Sequence, residues 1–293
     1  MTGGKDRRQS PFIHAGKAVA ILGGRGMLGS DLSAACERAG FDARVFDLPE
    51  FDITRVEQAR QAVDAASVII NCAAYTNVDG AEKEKELAHR VNGEAVGRLG
   101  EMVRAAGKWL LHISTDFVFD GKLDRPYAET DAPNPISEYG RSKLAGEQLL
   151  VESGCSYCIM RVEWTYGLCG DNFVTKLVNR AKTNRQLKVV DDQVGSPTAT
   201  TEAAQVICEL LRKKPRGIFH FASSGYVSRH EMAKFLFDKL RMDVEVSPCK
   251  TSDYPSPAKR PLNSRFDCSK VAALLGRSIE CWQVPLEHFL RQL

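Results

Sequence analysis

Tyr139 and Lys143 stand four residues apart in YGRSKLAGE, residues 139–147, at the start of a segment that reads as a helix. On a helix, positions i and i+4 share a face, so the phenol and the ammonium reach one small site. A free tyrosine titrates near pH 10 (roughly) and exchanges protons poorly near neutrality; a nearby ammonium favours its anion, each unit of lowering being worth about 1.4 kcal/mol. The same spacing suits two ordinary residues on a wet helical face, so context decides. Upstream, HISTDFVFDG (112–121) carries Ser114, Thr115 and Asp116 at the end of an apolar strand. Ligands of open parallel sheets bind at that edge. A hydroxyl there can hold a carbonyl oxygen for protonation by Tyr139. The chemistry expected of such a set is hydride transfer to a carbonyl, provided that a nucleotide cradle lies nearby.

GGRGMLG, residues 23–29, supplies a candidate cradle between the first apolar run and the first helical stretch. Gly24, Gly26 and Gly29 satisfy GxGxxG, while Gly23, Gly26 and Gly29 satisfy GxxGxxG. Glycine is required where the chain turns tightly, approaches a pyrophosphate and lets helix pack on strand. The following helix N-terminus offers free N–H donors to the anion. Asp47, at the end of the second strand, is placed to accept hydrogen bonds from an adenosine ribose diol, a role that Asp52 could share or replace. Arg25 and Arg44 are alternative partners for a 2′-phosphate, so NADH and NADPH both stay open.

These residues need a scaffold. Apolar runs at 18–22, 43–47, 67–71, 109–114 and 157–162 alternate with helical stretches. Strands apolar on both faces predict a parallel sheet covered on each side, an α/β doubly wound arrangement. The stretch 79–107, broken by Gly93, Gly97 and Gly100, reads as two helices or as one closely packed helix. An Asp- and Pro-rich surface loop over 120–135 leads to a helix opening at Ser137 or Glu138. Beyond residue 165 the alternation loosens: helices near 172–184 and 201–213, strands at 187–190 and 217–222, a helix from Ser228, the loop YPSPAKRP and a terminal helix. The expected organisation is a flexible tail over 1–16, a nucleotide-binding domain over 17–165 with a returning strand and helix near 187–213, and a smaller substrate-binding lobe over 166–293.

Composition narrows the function classes. Forty basic against thirty-seven acidic side chains give +3, short of the excess expected of a general nucleic-acid binder. No segment approaches the run of about eighteen apolar residues that spans a membrane, and the tail lacks the apolar stretch of a secretory signal. A cytoplasmic protein is expected. Nine cysteines are an odd number in a chain large enough to need no staples, which favours reduced thiols. Cys155 and Cys158 form CxxC beside the strand YCIMRV, where residues three apart point to opposite faces; they read as packing cysteines, with no metal site.

The ordered set GGRGMLG, NCAAYTNVDGAE, STDFVFDG, YGRSKLAGE, RVEWTYG, VVDDQVGSPT and RPLNSRFD resembles the dTDP-4-dehydrorhamnose reductases of the extended short-chain dehydrogenase/reductase superfamily. The resemblance runs over nearly everything after the first sixteen residues. It implies a Rossmann domain with a C-terminal lobe closing over a nucleotide sugar. The implied reaction is transfer of hydride from NADH or NADPH to C4 of dTDP-4-dehydro-L-rhamnose, giving dTDP-L-rhamnose for surface polysaccharides. By the same resemblance Tyr139 is the proton donor, Lys143 holds the nicotinamide ribose and tunes it, Thr115 binds the keto oxygen and Asp116 assists. Ala74, Tyr75 and Thr76 line the cofactor, as do Met27 and Leu28 in the glycine loop and Ile53 beside Asp52. Trp164 lies by the sugar, and Arg260, in the loop with Asn263 and Ser264, offers its charge to the diphosphate. A homodimer is an option. Glu163 stands where a small residue is usual in that family, and Arg229 and His230 where aromatics are common; these departures bear on sugar preference more than on catalysis. Two other readings remain: a cofactor-binding regulatory subunit resembling the methionine adenosyltransferase beta subunit, against which the intact Ser114–Asp116 stretch counts, and another reaction on the same scaffold, either a reductase or epimerase acting on another nucleotide sugar or a dehydratase, the last of which Asp116–Phe117 counts against because it lacks an Asp-Glu pair.

Overall fold

The computed structural model describes residues 18–293, so the tail expected over 1–16 lies outside it. Strands β1 (Ala18–Leu22), β2 (Asp42–Phe46), β3 (Val68–Asn71), β4 (Trp109–Thr115) and β5 (Ser156–Val162) join the strand Gly217–Phe221 in one six-stranded sheet. Its order is β2-β1-β3-β4-β5-Gly217–Phe221, and every pairing is parallel. All four residues of β3 are buried, as expected of a strand covered on both faces. The chain runs from β1 outward to β2 and then crosses to β3 on the other side. That switch opens a crevice beyond the carboxyl ends of β1 and β3.

Helices α1 (Met27–Arg38), α2 (Val56–Ala65), α3 (Val78–Ala81), α4 (Lys85–His89), α5 (Ala95–Ala105) and α6 (Glu138–Glu152) occupy the crossovers. The stretch expected to be helical over 79–107 divides after Ala81, and α4 then runs into α5 through a π-helical turn, Arg90–Glu94. Gly97 and Gly100 on α5 face Leu149 and Ser153 at the end of α6, which accounts for the interruptions in the sequence. Helix α6 starts where Ser137 accepts a hydrogen bond from the Gly140 amide at 3.2 Å.

The returning elements divide between the lobes. Helix Thr200–Lys213 packs on α1 within the core beneath β1, β4 and β5, and Gly217–Phe221 completes the sheet. The strand Gln186–Val190, expected to return with them, pairs instead with Glu245–Cys249 in the smaller lobe. That lobe has its own core, in which Tyr166, Leu187, Phe237, Trp282 and Phe289 meet. Cys155 and Cys158 are buried on opposite faces of the sheet, and all nine cysteines are free thiols. No helix among the described residues is long and apolar enough to cross a membrane.

Candidate active site

The glycine loop begins directly after β1. Gly23 has φ +73°, and a Cβ there would fall 2.6 Å from the Ala73 amide nitrogen after β3. At Gly29 a Cβ would lie 2.2 Å from the Gly23 carbonyl oxygen, so α1 sits against the loop backbone as no side chain would permit. Helix α1 then opens at Gly26 without a side-chain cap, leaving its first N–H groups directed at the crevice. This cradle, at the mouth of a cavity of about 660 Å³, fits the pyrophosphate of a dinucleotide.

Gly23, Gly26, Met27, Leu28 and Gly29 line the cavity together with Asp47, Asp52 and Ile53. Asp47 lies one residue past β2, and its carboxylate accepts the Arg25 and Leu48 amides at 2.7 and 2.8 Å. The Arg25 guanidinium donates to the Leu48 carbonyl and to Glu50, in an ion pair exposed on both sides. Arg44 points elsewhere: it pairs with Asp42 and donates to the Ala65 carbonyl oxygen on the outer edge of the sheet.

Ala74 and Thr76 face the cavity, whereas Tyr75 turns away and its phenol donates to Glu84. Asn92, fully buried in the π-helical turn, holds this segment: it accepts from the Tyr75 amide at 2.8 Å and donates to the Tyr75 carbonyl and to Ser142 of α6, each at 3.0 Å. Nothing in the glycine or YxxxK motifs pointed to Asn92, because a π-helical turn leaves no mark in apolar periodicity.

Thr115, Asp116, Tyr139 and Lys143 converge on the inner wall of the same cavity. The Thr115 hydroxyl donates to Asp116 at 3.0 Å, and the other Asp116 oxygen accepts from Ser264 at 2.5 Å. Ser264 thus arrives from the distant RPLNSRFD loop, which Asn263 braces by donating to the Leu123 and Arg125 carbonyls. Ser114 turns to Glu147, which is also paired with the buried Arg161. The Phe117 ring meets the edge of Tyr139, with centroids 5.4 Å apart.

Burial, together with the Asp116 carboxylate, pushes the Tyr139 phenol above its ordinary value, opposed by the Thr115 hydroxyl. This reverses the sign expected from the sequence, where Lys143 was to lower it. The Lys143 ammonium instead donates to the Ile113 carbonyl at 2.7 Å and lies 3.4 Å from His112 Nε2. Burial brings Lys143 itself down to about 8. The result is a protonated phenol beside a bound hydroxyl, an arrangement able to hold a carbonyl oxygen and give it a proton.

Trp164 reaches the cavity from a left-handed backbone, φ 45°, at the junction of the lobes. Arg260 stands outside the cavity wall, its guanidinium held by Asp79 at 2.8 Å and by Ser256 and the Ala258 carbonyl. His230 also turns away, toward the Val246 carbonyl. The cationic side chain that the smaller lobe does send into the cavity is Arg229, which the sequence marked only as a departure from pattern.

The family model described as RmlD substrate binding domain matches residues 17–293. A dTDP-4-dehydrorhamnose reductase of Sinorhizobium fredii is 36% identical over 278 residues, covering 90% of this chain and 94% of its own. One from Aggregatibacter actinomycetemcomitans is 37% identical over 285 residues, covering 92% of this chain and 97% of its own. Among solved structures, the Bacillus anthracis dTDP-4-dehydrorhamnose reductase in complex with NADP superposes with a TM-score of 0.91 at 36% identity, over 95% of this chain and 100% of that one.

Proposed function

Because the chain belongs to the dTDP-4-dehydrorhamnose reductase family, we propose that it reduces the C4 ketone of dTDP-4-dehydro-L-rhamnose to the alcohol of dTDP-L-rhamnose. The observation that carries this reading is the meeting of Tyr139, Thr115 and Lys143 in the cavity that the glycine loop opens. A bound reduced nicotinamide supplies the hydride for the carbonyl carbon. Tyr139 gives the ketone oxygen the proton that completes the hydroxyl, and Thr115, on turning its single O–H from Asp116 to that oxygen, holds it for the transfer. Lys143 binds the nicotinamide ribose, and Asp116 accepts the Thr115 hydrogen bond at 3.0 Å before the ketone binds. Met27 and Leu28 flank the pyrophosphate, and Ala74, Thr76 and Ile53 lie along the cofactor.

Both cofactors are compatible with the adenosine end. Asp47 offers a carboxylate to a ribose diol, and Arg25, whose ion pair with Glu50 is solvent-exposed and therefore weak, is free to turn to a 2′-phosphate. The test mixes the protein with dTDP-4-dehydrorhamnose and either NADH or NADPH and follows loss of the reduced-nicotinamide absorbance. Turnover is expected with both. Tyr139→Phe should lower kcat by roughly 10²–10⁴-fold, the usual contribution of a positioned acid, with cofactor affinity unchanged. A variant as active as the native chain would refute the assignment.

A further inference from the structure

Arg229 begins the helix Arg229–Lys239, where the first amides present partial positive charge and a cation is disfavoured. Helix stability therefore does not explain an arginine there. Its guanidinium lies 3.5 Å from the centre of the Trp164 ring and 4.5 Å from that of Phe173. Arginine over an aromatic face is attracted by the negative face of the ring, and the two rings fix the plane of the group. Asp116, in the cavity lining, and Glu163, outside it, are 3% and 1% exposed, and burial pushes both carboxyls above their ordinary range. Glu163 is held by the Ser196 and Phe266 amides at 2.9 and 3.3 Å.

The Arg229 backbone N–H donates to the Gln193 carbonyl, yet its guanidinium forms no hydrogen bond or ion pair among the described residues. An arginine has five N–H donors in a planar fork. Here the fork is oriented by stacking and open to the cavity.

We propose that Arg229, resting on Trp164 and Phe173, is a substrate-binding residue that donates hydrogen bonds to the oxygen substituents of the sugar ring. The proposal rests on the reading of the cavity as a nucleotide-sugar site. It makes this wall of the sugar subsite a hydrogen-bonding surface, because the guanidinium covers the Trp164 face on which a sugar would otherwise stack.

Steady-state kinetics with dTDP-4-dehydrorhamnose separate this proposal from the reading beneath it. If the native protein reduces no such sugar, the reading fails. If it does, Arg229→Met, which keeps apolar contact with Trp164, should raise KM for the nucleotide sugar about tenfold or more, leave KM for the cofactor unchanged and change kcat far less. Arg229→Lys retains the charge but loses the fork and should also raise that KM by about tenfold; it decides the matter if the methionine variant does not fold. Unchanged sugar KM in both variants would overturn the role of Arg229.

Discussion

Tyr139 carries its proton well past neutrality, so the acid of the proposed reaction is ready throughout the working range. The group that titrates in that range is Lys143, brought down to about 8 by burial. Below that pH it is an ammonium able to donate to a ribose hydroxyl; above it, an amine. The sign is therefore a loss of activity on the alkaline side. A pH profile of kcat/KM is expected to fall above an apparent pKa near 8, and a profile level through pH 9 would remove Lys143 from the role. YxxxK was enough to nominate both residues. It could not say that Lys143 bonds the β4 carbonyl of Ile113 and not the phenol, because that choice depends on the strand beneath the helix.

At the scale of elements, α6 brings Tyr139 and Lys143, β4 brings Thr115 and Asp116, and the π-helical turn sets the spacing between α6 and the segment around Ala74. Asn92 is the shared fastener, with three hydrogen bonds and no exposure. Asn92→Ala would strand a Tyr75 amide and carbonyl beneath α6. We expect a stability loss of about 1–3 kcal/mol, read as a lowered Tm, together with a several-fold rise in cofactor KM as Ala74 and Thr76 loosen. Wild-type values on both measures would show that the turn is passive. The helix opening at Ser137 or Glu138 was legible from its cap. Gly93, Gly97 and Gly100 left two readings of the 79–107 stretch, and contact with α6 is what selects between them.

Over the whole molecule the two lobes do not divide at residue 165. Ala203, Ile207 and Leu210 from helix Thr200–Lys213, Phe219 and Phe221 from the last sheet strand, and Val271 all lie in the core with Val19, Leu32 and Met160. A piece ending at residue 165 would expose that apolar face of the sheet and leave β5 as an unpaired edge. We therefore expect residues 1–165 expressed alone to fail to fold, while the full chain keeps its native circular dichroism. A folded, nucleotide-binding fragment would contradict this account. Arg260 belongs to this scale too, since it pairs with Asp79 of the sheet domain from the other lobe, at 2.8 Å.

The sequence by itself determined the parallel sheet, the glycine loop and the side chains that meet in the cavity, because those rest on local spacing: alternation of strand and helix, glycines where backbone must come close, and i, i+4 geometry. Only the tertiary structure decided the sign of the Tyr139 shift, the outward turn of Tyr75 and Arg260, the arrival of Ser264 against Asp116 and that of Arg229 in the cavity. Burial and charge fields are sums over neighbours far apart in the chain, and such sums leave no periodic trace in the residues that contribute to them.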